Sequence, residues 1–176
     1  MKLLILPGYS PNNKSWAQEV QKRIGGEAWS WRHWTQEKEE NWAERETARI
    51  LEQIGRERVS FIAKSIGTAV AMKILAKIPS QVEKLILNGI PINDLYPEDV
   101  KLYNPLANFD ARNIKIFQNE SDPHGTFAQA EEFIGKINPE VKIISKSRND
   151  HEYPYYQDFA YVLDKNFRFG LSLSHE

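Results

Sequence analysis

The sequence contains no cysteine, no excess of basic residues and no long apolar segment. The absence of cysteine excludes disulfide bonds, thiolate zinc sites and a cysteine nucleophile. The formal net charge of −1 lacks the positive excess that marks a nucleic-acid-binding protein. No apolar segment approaches the length of a transmembrane helix, and no basic block marks a membrane-surface patch. We therefore expect neither nucleic acid nor a membrane as a partner.

The chain begins with a short apolar segment, MKLLIL, which Pro7 and Gly8 bring to an end. That segment is shorter than the apolar region of a signal peptide, so we expect a cytoplasmic protein. The 176 residues suit one domain, 1–176, which is long enough to bury a sizeable core. Residues 170–176, GLSLSHE, are typical of a loosely held tail.

Short apolar segments alternate with helical patterns along the chain. Apolar and β-branched segments predict strands at residues 2–6, 27–34, 59–63, 84–88, 114–118 and 140–147. Apolar residues at helical spacing predict helices at residues 16–24, 37–54, 66–78, 128–137 and 155–167. This alternation predicts a three-layer α/β/α sandwich with a mostly parallel sheet of about six strands. The irregular segment 91–112 is the expected place for a small lid or rim.

The residues that follow the predicted strands carry the functional prediction, because an open α/β sheet binds ligands beyond the carboxyl ends of its strands. Gly8 and Tyr9 follow the first strand, and Ser65 follows the third. Asp122 lies in the loop after the fifth strand, and His151 lies in the loop after the sixth. Serine, acid and histidine in this chain order match the order of the α/β-hydrolase triad.

The segment AKSIG around Ser65 resembles the nucleophile elbow of the α/β-hydrolase superfamily, with Ala63 in place of the usual first glycine. Strand and helix approach closely at this turn, and Ala63 and Gly67 are both small enough for it. The segment LLILPGYSPNNKSW resembles the oxyanion loop, NESDPHG resembles the acid-bearing turn, and NDHEYP resembles the histidine turn. Over residues 2–167 the chain is similar to the small, lidless serine hydrolases.

The resemblance implies acyl transfer without a metal or an organic cofactor. Ser65 attacks the carbonyl carbon of a small-molecule acyl substrate, His151 takes the serine proton, and Asp122 orients the histidine ring. Backbone N–H groups of Tyr9 and Ile66 stabilise the oxyanion. The implied function is that of a carboxylesterase for small or medium acyl esters. The side chains expected to contact the acyl group are Tyr9, Leu95, Tyr96, Tyr103 and Leu106.

Several residue roles stay open at this stage. Ser65 is also a favoured N-cap residue, since a helix is predicted to start there. Asp94 and Glu120 are alternatives to Asp122 as the triad acid, whereas Asp150 adjoins the histidine that it would have to orient. His124 is a candidate for lining the pocket. The residues assigned to the surface are His33, Lys64 and His175, and those assigned to core or sheet-edge packing are Trp29, Trp31 and Trp34.

Three other functions stay open as well. The same triad serves thioesterases and amide or peptide hydrolases, and no motif in the sequence separates these from an esterase. A hydrolase-fold protein that binds a protein partner and retains vestigial activity is the third alternative. Aromatic residues on the rim favour that alternative, because aromatic side chains often anchor interfaces. An intact triad argues against it.

Overall fold

The computed structural model describes residues 1–163, so the expected tail at 170–176 lies outside the described residues. Within residues 1–163 one sheet contains six strands: β1 (Lys2–Leu6), β2 (Glu27–Ala28), β3 (Val59–Lys64), β4 (Val82–Asn88), β5 (Ile114–Asn119) and β6 (Ile143–Lys146). Their order across the sheet is β2-β1-β3-β4-β5-β6, and each neighbouring pair is parallel. The expected parallel α/β sheet is confirmed.

Helices cover both faces of this sheet. They are α1 (Lys14–Ile24), α2 (Trp42–Ile54), α3 (Ile66–Lys77), α4 (Phe127–Ile137) and α5 (Tyr156–Leu163). Helices α1 and α5 pack on one core, and α2, α3 and α4 pack on the other. Across residues 1–163, no helix combines the length and apolar character that a membrane crossing requires.

Alternate residues of the central strands enter the two cores. On β1, Leu4 and Leu6 enter the core beneath α2, α3 and α4, whereas Ile5 enters the core beneath α1 and α5. On β3, Phe61 enters the core beneath α2, α3 and α4, and Ile62 enters the core beneath α1 and α5. Successive strand side chains point to opposite faces, so a continuous apolar segment fills both cores. This explains why the central strands read as unbroken apolar runs in the sequence.

The strand predicted at 27–34 is wrong beyond Ala28. β2 ends at Ala28, and Arg32–Trp34 forms a 3-10 turn. Trp31 is buried, and its indole Nε1 donates a hydrogen bond of 3.0 Å to the carbonyl oxygen of Gly8. This tertiary contact outweighs the preference of aromatic residues for strands.

The start of α2 also differs from the prediction by several residues. Helix α2 begins at Trp42 rather than at residue 37, because Asn41 has a left-handed backbone with φ of 54°. The closing helix α5 starts at Tyr156, and the part of the prediction beyond residue 163 lies outside the described residues.

The segment 91–112 packs part of its length into the core. It forms 3-10 turns at Ile92–Asp94 and Asp99–Asn108. Tyr103 and Leu106 are fully buried, and the Tyr103 hydroxyl lies 2.6 Å from Thr68 Oγ1 on α3. The expectation that Tyr103 and Leu106 contact an acyl group is therefore wrong, because both side chains pack inside the core.

Candidate active site

Ser65 occupies the turn between β3 and α3 in a strained backbone conformation. Its φ is 55° and its ψ is −125°, a region that a residue with a Cβ rarely adopts. Ser65 stands at the N-cap position of α3, but its side chain makes no capping hydrogen bond. Ser65 therefore does not cap α3 through its side chain, and the capping alternative left open by the sequence is wrong.

Gly67 allows the strand and the helix to meet at this turn. A Cβ at Gly67 would lie 2.3 Å from the carbonyl oxygen of Leu6 and 2.8 Å from that of Pro7. Both contacts are to backbone at the end of β1, which cannot move aside cheaply. Ala63, on the other side of the serine, is fully buried. Both small residues therefore lie in the interior, and at Gly67 the neighbouring backbone leaves no room for a side chain.

Asp122 and His151 form a buried hydrogen-bonded pair. His151 Nδ1 lies 2.6 Å from Asp122 Oδ2, and the Asp122 side chain is fully buried. The backbone N–H of His124 donates to Asp122 Oδ1 at 2.8 Å, and the Tyr153 hydroxyl donates to Oδ2 at 2.5 Å. Burial alone raises the pKa of Asp122, but hydrogen bonds from His151 and Tyr153 outweigh it and hold that pKa below its ordinary value. Asp122 is therefore held as a carboxylate.

Among residues 1–163, none of the alternative acids bonds the His151 ring. Asp94 Oδ2 lies 2.5 Å from His124 Nδ1, and Asp150 Oδ2 accepts from Arg148 at 2.6 Å. Glu120 is exposed, and its backbone N–H donates to Lys146. Over residues 1–163, Asp122 is thus the carboxylate that bonds the His151 ring.

The other ring nitrogen of His151, Nε2, is left without a partner in the described part of the chain. His151 Nε2 is buried and has no hydrogen-bond partner among residues 1–163. The end of β4 separates His151 from the elbow: Ser65 N–H donates to Asn88 at 2.9 Å, and a Cβ on Gly89 would lie 2.9 Å from His151 Cε1. The His151 ring therefore lies near the end of β4, the strand that contacts the elbow, and Nε2 makes no hydrogen bond to Ser65 Oγ.

The loop after β1 is held in place by aromatic side chains whose function the sequence did not reveal. Trp31 Nε1 donates to the Gly8 carbonyl, and Trp34 Nε1 donates to the Tyr9 carbonyl at 2.8 Å. His33, assigned to the surface, stacks on the Tyr9 ring at 4.4 Å and lies 2.9 Å from the same carbonyl oxygen. No sequence signal separates this role from ordinary packing.

The N–H groups of Tyr9 and Ile66 are available for a ligand. Neither donates a hydrogen bond to any residue in the range 1–163. Ile66 is the first residue of α3, where backbone N–H groups have no partner inside the helix. The two groups predicted to stabilise an oxyanion are therefore unbonded, one after β1 and one after β3.

A cavity of about 270 Å³ lies beside the elbow. Ile66, Leu95 and Tyr96 line it, together with Val70 on α3 and Trp42 on α2. Tyr96 is 68% exposed and forms part of the rim. Leu95 and Tyr96, two of the residues expected to contact an acyl group, thus face a cavity that reaches the residue after Ser65.

His124 packs against the His151 ring. The two ring centroids lie 4.3 Å apart, and the far side of His124 bonds Asp94. The sequence left His124 as a candidate for lining the pocket, and the structure places it in contact with the histidine of the buried pair.

Lys64, assigned to the surface, is buried. Its side chain is 3% exposed, and its Nζ donates to Asn13 Oδ1 at 2.9 Å. Burial lowers the pKa of Lys64, and the nearby Glu152 carboxylate opposes that shift. The expectation failed because β3 is a central strand with both faces covered, so its last residue points into the protein.

Several solved structures with a similar fold are α/β hydrolases. Mouse alpha/beta hydrolase domain-containing protein 10 has a TM-score of 0.59 and 13% identity, over 90% of this chain and 86% of the other. A lidless serine hydrolase from Xanthomonas campestris has a TM-score of 0.61 and 10% identity, over 85% and 72%. Naproxen esterase from Bacillus subtilis has a TM-score of 0.57 and 12% identity, over 85% and 77%. The chain therefore has the α/β-hydrolase fold. The sequence matches no protein-family model and no curated protein.

Proposed function

We propose that this protein is a serine hydrolase that cleaves carboxylic esters through an acyl-enzyme on Ser65. The observation that carries the proposal is the buried Asp122–His151 hydrogen bond, which leaves His151 Nε2 unbonded within residues 1–163. The strained backbone of Ser65, whose side chain caps no helix, is the second support. A protein that only binds a partner has no need of a serine, a carboxylate and a histidine that each follow a strand of the sheet.

The reaction proceeds in two halves. Ser65 Oγ forms a bond to the carbonyl carbon of the ester while its proton passes to His151 Nε2. The tetrahedral intermediate collapses, the bond to the alcohol oxygen breaks, and the alcohol takes the proton from Nε2. Water then attacks the acyl carbon, gives a proton to Nε2 and releases the acid, and that proton returns to Ser65. Asp122 keeps the other proton on Nδ1 throughout, so that Nε2 is the nitrogen that accepts.

Backbone N–H groups of Tyr9 and Ile66 stabilise the negative oxygen of the tetrahedral intermediate. Their lack of any partner in residues 1–163 supports this assignment. The indoles of Trp31 and Trp34 bond the carbonyls of Gly8 and Tyr9, which fixes the orientation of the peptide groups in this loop. Removal of one oxyanion donor typically lowers kcat by about 10²–10³-fold.

The substrate class follows from the cavity beside the elbow. Its volume of about 270 Å³ lies near the lower end of small-molecule sites, which begin at about 300 Å³. Leu95 and Tyr96 on its wall suit the acyl part of a small or medium ester. Naproxen esterase, a structure of similar fold, supports an ester as the substrate, and a deformylase of similar fold supports an amide as the second candidate.

A fluorophosphonate probe tests the proposal, because it reacts with an activated serine and spares an ordinary one. Intact mass spectrometry of the wild-type protein should show one adduct. Ser65→Ala and His151→Ala should show none, and Ser80→Ala, which removes an exposed serine, should label like the wild type. The wild type and Ser80→Ala should hydrolyse p-nitrophenyl butyrate, and Ser65→Ala and His151→Ala should not. A folded wild-type protein that takes no adduct and shows no turnover contradicts the proposal.

A further inference from the structure

A lysine stands directly before the proposed nucleophile, and no step of the proposed reaction uses it. The Lys64 side chain is 3% exposed, so its ammonium group has lost most of its water. A cation removed from water needs polar partners within the protein. The partners of Lys64 lie on two different loops, one after β1 and one after β6.

Asn13 links Lys64 to the loop after β1. Asn13 Oδ1 accepts from Lys64 Nζ at 2.9 Å, and Asn13 Nδ2 donates to the Ser10 carbonyl at 3.0 Å. The Asn13 carboxamide also packs against Gly8, since a Cβ on that glycine would lie 2.8 Å from it. Gly8 and Ser10 flank Tyr9, the proposed oxyanion donor. Asn13 therefore holds this loop on both sides of the donor.

Glu152 links Lys64 to the loop that carries His151. Its Oε2 lies 3.5 Å from Lys64 Nζ, and it follows His151 in the chain. The Trp16 ring lies 5.8 Å from the same ammonium, and its indole Nε1 donates to the Tyr153 carbonyl at 2.9 Å. Because the Glu152 side chain is 63% exposed, water screens this contact more than the buried bond to Asn13.

We infer that Lys64 is a positioning residue, which holds the oxyanion loop through Asn13 and the histidine loop through Glu152 in fixed places around Ser65. Lys64 does not line the cavity beside the elbow, so it acts through these loops and not on the substrate. The inference rests on the proposed function. A displacement of about 1 Å in a reacting or stabilising group lowers the rate by about 10²-fold. We therefore expect a kcat loss of up to that size when the contacts of Lys64 are removed.

Lys64→Met tests the inference, because it keeps the methylene stem and removes the ammonium group. We expect kcat for p-nitrophenyl butyrate to fall by about 10–100-fold, with KM close to the wild-type value. Fluorophosphonate labelling of Ser65 should slow in the same proportion. Asn13→Ala should have a similar effect. The kcat of the double variant should equal that of the more impaired single variant, because both changes remove the same Lys64–Asn13 contact.

The matched control is Lys84→Met on β4. Lys84 is also partly buried and donates to a carbonyl, that of Val162, at 2.7 Å, but neither residue belongs to the site. Its replacement should lower the thermal unfolding temperature and leave kcat unchanged. Should Lys64→Met fail to fold, Asn13→Ala and Glu152→Gln carry the same kcat and labelling comparison.

Two results overturn the inference. The first is a folded Lys64→Met variant with the wild-type kcat and labelling rate. The second is a double variant in which the kcat losses of Lys64→Met and Asn13→Ala multiply. In both cases the wild-type protein still reacts, so the proposed function stands. A wild-type protein without turnover or labelling overturns both.

Discussion

Tyr153 donates a hydrogen bond of 2.5 Å to Asp122 Oδ2, the oxygen that also bonds His151 Nδ1. The Tyr153 ring is fully buried, and Gly89 makes room for it, because a Cβ at Gly89 would lie 2.5 Å from the ring. Burial raises the pKa of Tyr153, so its hydroxyl stays protonated and acts as the donor. Tyr153 thus fixes the position of the carboxylate that orients the histidine.

Tyr153→Phe should therefore weaken both activity and stability. A hydrogen bond to a charged group contributes about 1.5–3 kcal/mol, and we expect the free energy of unfolding to fall by about that amount. We expect kcat to fall by about 10-fold, because Asp122 loses one of the groups that hold it. Urea unfolding and ester hydrolysis measure the two effects. Tyr161→Phe on α5 is the control, and equal kcat values for the two variants would contradict this role.

The same variant should change how stability depends on pH. The pKa of Asp122 lies below its ordinary value in the folded protein. Its stabilising contribution is therefore complete above the unfolded pKa of about 3.9 and is lost as the pH falls through the folded pKa. Tyr153→Phe removes a donor and raises the folded pKa toward the unfolded value, so the loss should be smaller and should be complete at a higher pH than in the wild type. Urea unfolding across the acid range checks this, and parallel curves for both proteins would refute it.

Replacement of the acids one at a time should separate the orienting acid from its neighbours. Asp122→Asn should lower kcat by about 10³–10⁴-fold, because the amide no longer favours the His151 tautomer with Nε2 as the acceptor. Asp94→Asn removes the partner of His124, and Glu120→Gln changes an exposed side chain. We expect both to keep most of the wild-type kcat. A larger loss of kcat from Asp94→Asn than from Asp122→Asn would make Asp94 the orienting acid in place of Asp122.

Two glycine-to-alanine changes should affect stability with opposite signs. Gly67→Ala places a Cβ 2.3 Å from a backbone oxygen of Leu6, and we expect a loss of about 1–3 kcal/mol. Gly135 lies in α4 with no atom within 4 Å of the new Cβ, so Gly135→Ala should gain about 0.5–1 kcal/mol from helix propensity. Thermal unfolding of both variants measures the difference. A stable Gly67→Ala variant would show that the elbow can relax.

Leu95 and Tyr96 should set the preference for acyl length. Leu95→Ala and Tyr96→Ala remove apolar wall from the cavity beside the elbow. We expect KM to rise by about 10-fold for p-nitrophenyl octanoate and little for the acetate, because one large side chain contributes about 1.5–3 kcal/mol of apolar contact. Leu106→Ala is a useful contrast: it removes a buried core side chain, so it should lower stability without changing the length preference. An equal rise in KM for short and long esters would show that Leu95 and Tyr96 do not contact the acyl chain.

Most of the fold follows from local patterns in the sequence. The unbroken apolar runs of β1 and β3 predicted strands, and the small residues around Ser65 predicted a tight turn. Such patterns report on backbone geometry and burial within a few neighbouring residues. They failed at Trp31, whose partner Gly8 lies 23 residues away, and at Asn41, whose left-handed backbone delays the start of α2.

The sequence by itself determined the chemical groups of the site and the edge of the sheet where they gather. Serine, acids and histidines each follow a strand, and parallel strands end on one side. Only the tertiary structure decided which carboxylate bonds His151, because Asp122 and Asp94 lie 29 and 30 residues from the histidines that they bond. The same holds for the burial of Lys64 and the bond from Tyr153 to Asp122. Hydrogen bonds depend on distances of a few tenths of an ångström between separate loops, and residue spacing carries no information at that scale.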